Sequence, residues 1–509
     1  MILNLKALVV VLTLASIVFA FAKPVCLRFT AADDFARRRM VWYVLTVVAF
    51  VSPSFWLYVL VAAPLLGWAS MKDASPVSLF LFFFFVIPPL AIDIPVVAIN
   101  KLFPMSNIRL LCFVVLLPAV LSRVRMADDA KPFRLSAMDW LLLMYGALQL
   151  VLFMPYESYT NTARRGMLYL LDVFLVFFAC SRLLSDKRRL ADALSAFWLS
   201  GSIMALVAAF ESLRYWLLYV DIPSIWGDPN DLAFLLRGDA LRAQASTGHA
   251  LALGYVLCMA LGCWMYLQSS GVGKARNVIA IGLLAAGLVF CYSRGPWLTA
   301  VLVVMVFIAL GSGNSAKLIK GALLLAVVVG AFAATPFGES LMDSLPFIGT
   351  RDQETVEYRR QLFETSWALI LQHPFIGNPF VALDMESLRQ GQGIIDLVNG
   401  YLQVALYYGL IGLALYSSVH LLTLKRAFSF VRIARSQGHG DTVALGGALM
   451  ACVASNLFFM ATAGQSWLQW AFVGLLAAFS RLASTQADAA QGRNFPVTSK
   501  TGSSRVAIV

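Results

Sequence analysis

Charge is scarce in this chain: only 13% of its 509 residues are Asp, Glu, Lys or Arg, about half the share in an ordinary soluble domain. Hydrophobic residues make up 60% and the mean hydropathy is +0.79. That balance excludes a soluble globular enzyme and leaves no stretch for a second, soluble domain. Histidine is nearly absent, and the four at positions 249, 373, 420 and 439 are too scattered to suggest a metal site. The seven cysteines (Cys26, Cys112, Cys180, Cys258, Cys263, Cys291, Cys452) fall mostly inside apolar runs and make no CxxC pair, so neither a disulfide nor a metal framework is expected. No Walker loop, dinucleotide glycine fingerprint, HExxH or GxSxG occurs. An ATP-driven pump and a zinc protease are therefore not expected.

What is present is apolar sequence in runs of about 20 residues, the length that crosses a bilayer core. Candidate spans are 4–22, 41–64, 78–97, 107–122, 138–154, 166–181, 191–211, 249–268, 277–293, 296–312, 319–335, 398–423, 442–462 and 465–482. The expected fold is all-α, a polytopic membrane protein with about 12–14 transmembrane helices in one domain, 1–482. The net charge of +12 does not point to nucleic acid, because short loops between spans hold most of it. Arg123, Arg125, Lys131 and Arg134 form one such group and Arg182, Lys187, Arg188 and Arg189 another. Lys274 with Arg276, Lys317 with Lys320, and Lys425, Arg426, Arg432 and Arg435 complete the set. Alternating spans put all of them on one face, which basic-residue retention makes the cytoplasm.

The N-terminal part is ambiguous. Simple alternation puts residues 23–40, with Lys23, Arg28 and Arg37-Arg38-Arg39, outside. If the apolar stretch 41–70 is instead two helices broken at Pro53, that loop returns to the cytoplasm and the span count rises by one. A third reading makes 1–22 a cleaved signal peptide, from Lys6, the apolar run and Ala20-Phe21-Ala22; an uncleaved span is preferred. Residues 483–509, rich in Ser, Thr, Ala, Gln and Gly, read as a disordered cytoplasmic tail.

Two connections, 212–248 and 336–397, are far longer than a compact membrane protein needs, and both fall on the extracytoplasmic face. Helically spaced apolar residues over Glu357–Trp367 suggest a helix lying at the interface. These loops carry Arg237, Arg242, Arg351, Arg359, Arg360 and Arg389, and Arg294 sits in the tight Ser293-Arg294-Gly295-Pro296 turn between spans. Arginine on that side opposes the retention bias, and its planar fork suits bidentate binding of phosphate or diphosphate. The plain alternative is snorkelling to headgroups, or pairing with local acids such as Asp239, Glu357 and Glu364. Asp384, Glu386 and Asp396 follow in the second loop. A carboxylate or His there would serve as general base on a sugar hydroxyl; the alternative is solvated loop acids.

Tyr292-Ser293-Arg294-Gly295-Pro296-Trp297 resembles the Ser-Arg-Gly turn of the O-antigen ligase and polysaccharide polymerase superfamily. The later series Arg359-Arg360, Trp367, His373-Pro374-Phe375-Ile376-Gly377, Asn399-Gly400-Tyr401-Leu402-Gln403 and Tyr408-Gly409-Leu410-Ile411-Gly412-Leu413 follows the same order. The similar region covers roughly 235–425. Arg followed after ten residues by Gly occurs at Arg237–Gly248 and Arg389–Gly400, as in motifs of some polymerases of the group.

The resemblance implies an integral-membrane glycosyltransferase-like fold working without metal or other cofactor on undecaprenyl-diphosphate-linked oligosaccharide at the outer face of a bacterial inner membrane. It implies that Arg237, Arg242, Arg294, Arg359, Arg360 and Arg389, with Asn399 and Tyr401, hold the substrate. His249, Asp396 or Glu386 would supply the base, or proton removal would need no dedicated residue, and inversion at the anomeric carbon would expel the lipid diphosphate. Membrane lipids, a chain-length regulator and a flippase of the same pathway would be partners, with no nucleic acid. Ligases of the group carry His directly before the Asn of the last motif, where this chain has Val398. That favours a polymerase of repeat units for exopolysaccharide or O-antigen over a ligase acting on lipid A-core or protein. A small-anion or lipid-linked-substrate transporter is a further alternative, disfavoured by the lack of an internal repeat and by few intramembrane charges, of which Asp93 and Glu211 come nearest. A non-catalytic assembly subunit is the last.

Overall fold

The computed structural model describes residues 2–95, 101–126, 135–227, 234–312, 353–389, 395–466 and 468–490. Within them the chain is helical nearly throughout, and its strands are confined to two small antiparallel hairpins. Eight of the described helices are long and apolar enough to cross a membrane, with Ala137–Phe153 and Gln469–Ala483 as shorter apolar ones. This is an all-α polytopic membrane protein. In hydrocarbon every backbone N–H and C=O must be satisfied internally, and the helix does this without help except at its ends. Side chains serve there: Ser54, Ser75, Ser106, Ser136, Ser158 and Asp186 each accept from a backbone N–H of the first turn.

Three helices make the centre. In Lys187–Arg214, Ala250–Ser270 and Gly440–Ala463, 83% of the central apolar stretch is buried, against 17% in Arg294–Gly311. Their apolar residues run round the whole circumference, as expected of helices enclosed by others. Trp198 and Trp264 stack there with ring centroids 4.6 Å apart.

The N-terminal ambiguity resolves in favour of the broken stretch. Helix Ala32–Val51 ends at Ser52, and Phe55–Lys72 begins after Ser54. Residues 23–40 therefore lie not with the outer loops but among the basic loops. Arg28 donates to the Ser270 and Gly271 carbonyls, and Arg188 to that of Phe29. Trp226 of the first long loop donates to Ser52 O at 2.9 Å, fixing the break at the other end of the bundle. A buried ion triad that local pattern does not reveal ties together the far ends of the two turned-back helices. Arg38, 4% exposed, is bidentate to Asp73 at 2.7–2.8 Å and to Asp192 at 2.8 Å. Arg38→Ala would leave two carboxylates buried without their cation, so a loss of about 3–5 kcal/mol is expected; thermal unfolding in detergent checks it.

The candidate span 78–97 is also revised. Its helix, Pro76–Phe83, stops short, because Pro88 and Pro89 cannot donate to a helical ladder. Asn107 Nδ2 caps the freed Phe83 and Phe84 carbonyls at 3.0 and 3.2 Å. The chain then forms the Ile92–Pro95/Lys101–Met105 hairpin, so Asp93 lies not inside a membrane helix but in an exposed pair with Lys101 at 2.9 Å. The span 319–335, Lys131, Arg134, Lys317, Lys320 and Arg351 lie outside the described residues. The last helix, Gln469–Ala490, extends into the segment read as a tail.

The second long connection is pinned by its own motifs. Gly400–Ser436 is broken at Gly409, whose φ is +64°. The groups freed there bond to the turn after helix Gln353–Gln372. Leu410 N donates to Pro374 O and Asn378 N to Leu406 O, both at 2.8 Å, and Ile411 N to Phe375 O at 3.2 Å. A Cβ on Gly409 would collide with the Phe375 carbonyl, which is why the Pro374–Gly377 and Gly409–Gly412 motifs need each other. Leu362, Ile370, Val381, Met385, Leu388, Ala405 and Leu406 form a small separate core beneath this loop.

Candidate active site

The turn Cys291–Ser293, at the mouth of helix Arg294–Phe307, gathers the arginines of the first loop. Arg237 Nη1 donates to Tyr292 O at 2.8 Å. Arg242 donates through Nε to Cys291 O at 3.3 Å and through Nη2 to Ser293 Oγ at 2.7 Å. Ala243 N closes the junction on Phe290 O at 3.0 Å. Tyr292 takes φ +44°, a left-handed backbone that costs a non-glycine residue of the order of 1–3 kcal/mol and recurs at functional turns. Behind the turn, Gly254 admits Pro296: a Cβ there would lie 2.5 Å from the proline ring. Arg294, half-buried, thus opens a helix locked from behind.

The second loop meets the same mouth across Thr462, near the end of helix Gly440–Ala463. A Cβ on Gly295 would stand 3.7 Å from Thr462 Oγ1, and Arg359 Nη2 donates to Thr462 O at 3.4 Å. Asp396 is held near Arg359 by its own backbone. Its N–H donates to the Tyr358 hydroxyl at 3.1 Å, and that hydroxyl donates to the Asp396 carbonyl at 3.2 Å. Partial desolvation pushes the carboxyl of Asp396, a residue still exposed at the surface, above the ordinary aspartate range, while Arg359 pulls the other way. Asn399 Oδ1 accepts from Tyr401 N at 3.0 Å and Leu402 N at 3.2 Å, starting the Gly400–Ser436 helix. The Tyr401 hydroxyl donates to Leu457 O at 3.0 Å.

His249 lies on the other flank as the N-cap of helix Ala250–Leu267. Its Nδ1 accepts from Leu251 N at 3.1 Å, so in the neutral ring Nε2 carries the proton. The close surroundings and then Arg242 hold its pKa below the ordinary histidine value. Its one basic nitrogen is thus already spent on the cap, which makes it a poor proton acceptor in this arrangement.

Three candidates stand apart from the mouth in ion pairs of their own. Arg360 pairs with Glu364 one turn along its helix at 3.0 Å, with side chains 70% and 60% exposed. Arg389 pairs with Glu386 at 2.6 Å, and this hydrogen bond lowers the Glu386 pKa. For Arg360 and Arg389 the local-acid alternative is what the geometry displays. Arg237, Arg242, Arg294 and Arg359 are the ones brought to the mouth, with Asp396 beside Arg359 and His249 beside Arg242; Asn399 and Tyr401 stand at the start of the Gly400–Ser436 helix, bonded within it and to Leu457.

Glu211, marked in the sequence only as an intramembrane charge, turns out to hold the first loop. Its carboxylate, fully buried, accepts from Leu218 N at 3.0 Å, Gln244 N at 3.0 Å and Ala245 N at 2.8 Å. These donors flank the Leu236–Leu241 hairpin on both sides, so one side chain fixes where Arg237 and Arg242 project. Glutamine there would turn its amide N–H toward backbone N–H donors. Glu211→Gln is expected to cost about 1–3 kcal/mol through an unsatisfied buried group, and to weaken anion binding at Arg237 and Arg242 as the hairpin loosens. Unfolding and binding measurements on the same preparation check both.

The arrangement offers guanidinium groups for a dianionic group and a raised-pKa carboxylate for a proton, at one end of a membrane-spanning bundle. No curated protein matches the chain. Residues 279–417, a stretch that includes Arg294, Arg359, Asp396, Asn399 and Tyr401 but neither Arg237, Arg242 nor His249, match the family model for O-antigen ligase, consistent with the O-antigen ligase and polysaccharide polymerase superfamily that the motifs resemble.

Proposed function

We propose that the protein polymerises undecaprenyl-diphosphate-linked oligosaccharide repeat units at the outer face of a bacterial inner membrane. The observation that carries this reading is the convergence of Arg237, Arg242 and Arg294 on one strained turn, with Arg359 across Thr462. Guanidinium groups so placed suit a lipid diphosphate lying at the membrane surface. In the reaction the acceptor hydroxyl forms a new bond to the donor's anomeric carbon with inversion. The bond to the diphosphate breaks, the leaving group keeps the electron pair, and the acceptor's proton passes to Asp396. The arginines act most strongly as charge builds on the departing diphosphate, where preorganised donors contribute most. Asn399 fits an orienting role, since its amide nitrogen makes no hydrogen bond among the described residues while its oxygen caps the helix.

A ligase is the second reading, favoured by the description of the matching family model and disfavoured by Val398 where ligases of the group carry His. Incubation of purified protein with donor alone, and with donor plus lipid A-core, separates them. A ladder of glycan lengths from donor alone is the polymerase result. A single transfer that requires the lipid A-core acceptor would establish the ligase and sink the polymerase.

A further inference from the structure

Helix Gln353–Gln372 carries a second apolar face that its packing leaves open. Leu362, Ser366 and Ile370, four residues apart, are buried, and Leu362 and Ile370 belong to the core shared with Ala405 and Leu406. One step round the helix, Phe363, Trp367 and Leu371 repeat that spacing at 53%, 52% and 62% exposure. The rings of Phe363 and Trp367 stack on each other. Glu357, Arg360, Gln361 and Glu364 are exposed further round, and the turn beyond the helix adds exposed Phe375 and Ile376. An exposed apolar face rimmed by polar residues marks a contact with protein or with membrane.

The direction of the helix decides between them. Gly400 and Tyr416 both reach Met460: a Cβ on Gly400 would lie 2.7 Å from its Cγ, and the Tyr416 hydroxyl donates to its sulfur at 2.6 Å. An unbroken helix would set those two residues about 24 Å apart, so the chain turns sharply at Gly409. The leg 400–408 therefore lies across the bundle, and the span proper is 410–436. Helix Gln353–Gln372 runs beside that leg, from Thr462, reached by Arg359, to Leu410, whose N–H donates to Pro374 O. It too lies across the span, in the plane of a bilayer surface, and brings Phe375 against Ile411 through the Ile411 N–H. Leu410, Leu421 and Phe428 are exposed at spacings of eleven and seven residues, on one side of the span; in a membrane helix that side faces lipid. We propose that Phe363, Trp367, Leu371, Phe375 and Ile376 are seated in the bilayer leaflet next to the arginine mouth, continuing this lipid-facing surface. Interfacial helices divide polar from apolar faces in this way, and tryptophan favours the membrane–water boundary. The placement is independent of the saccharide reading, because it requires no step of transfer.

All seven native cysteines are buried, so a single cysteine introduced on this helix can be spin-labelled selectively. Trp367→Cys and Leu371→Cys, with Gln361→Cys and Glu364→Cys as references on the polar side, are labelled with a nitroxide in the full chain. Each is then placed in nanodiscs of phosphatidylethanolamine and phosphatidylglycerol. All four side chains are exposed, so the variants should fold normally. Collisions of the label with oxygen, which concentrates in hydrocarbon, and with a water-soluble nickel chelate report what surrounds it. The expected result is a several-fold higher oxygen-to-nickel ratio at positions 367 and 371 than at 361 and 364. A ratio no higher than at the reference positions would put the face in water and overturn the proposal. Shielding of 367 and 371 from both reagents would overturn it as well, by showing a second copy of this chain on the face instead of lipid.

Discussion

Arg294→Ala should lower saccharide transfer by about 100-fold or more, while Arg360→Ala should keep it within about twofold. The contrast follows from placement. Arg294 opens a helix whose first turn is fixed by Pro296 against Gly254 and by Arg242 on Ser293, so its side chain starts from a rigid base. Preorganised donors of that kind are worth about 10²–10³ in rate when charge develops in front of them. Arg360 is spent on Glu364 at the exposed side of its helix, where an ion pair contributes little to anything but itself. Lysine at 294 would restore charge but not the planar fork, so Arg294→Lys should recover only part of the loss. Steady-state rates with a lipid-linked repeat unit check all three variants. Equal losses in the 294 and 360 alanine variants would show that the loop arginines work together and that the present assignment of the mouth is wrong.

The second large effect belongs to Asp396. As a general base it works ionised, so transfer should fall as pH drops through its pKa. Because partial desolvation raises that pKa against the opposing pull of Arg359, the fall should set in at higher pH than a fully solvated aspartate would give. Asp396→Asn is expected to lower the rate by about 10²–10⁴ and to abolish the acid limb. Arg359→Ala removes the one lowering influence, so the limb should move to higher pH. Glu386, whose pKa Arg389 lowers, sets no such limb, and Glu386→Gln should leave the profile unchanged. An acid limb that survives in Asp396→Asn would transfer the role to another group.

Much of this was legible in the sequence, and the limits have physical reasons. Apolar runs of membrane length are strong local signals, and the all-α membrane fold follows from them. The Ser293-Arg294-Gly295-Pro296 turn was readable because a charged residue between two spans has few places to go. Residues 23–40 were not, because Arg38 finds its partners at Asp73 and Asp192, far along the chain. Only the assembled bundle shows that these charges pair with one another. Arg359 and Arg360 are adjacent in sequence but about 100° apart on a helix, so deciding which one reaches Thr462 needs the packing of that helix on its neighbours. The Pro374–Gly377 and Gly409–Gly412 motifs could each be seen separately. That each supplies the backbone partners missing from the other depends on the break at Gly409.

The central claim is that the arginines at the Cys291–Ser293 turn hold a lipid diphosphate. Its most direct test is equilibrium binding of an undecaprenyl-diphosphate-linked repeat unit to the wild type, Arg237→Ala, Arg294→Ala and Arg360→Ala. The account predicts affinities at least about tenfold weaker for the first two variants, the loss of roughly one charge-assisted contact or more, and an affinity like that of the wild type for Arg360→Ala. Undiminished binding in Arg237→Ala and Arg294→Ala would contradict it.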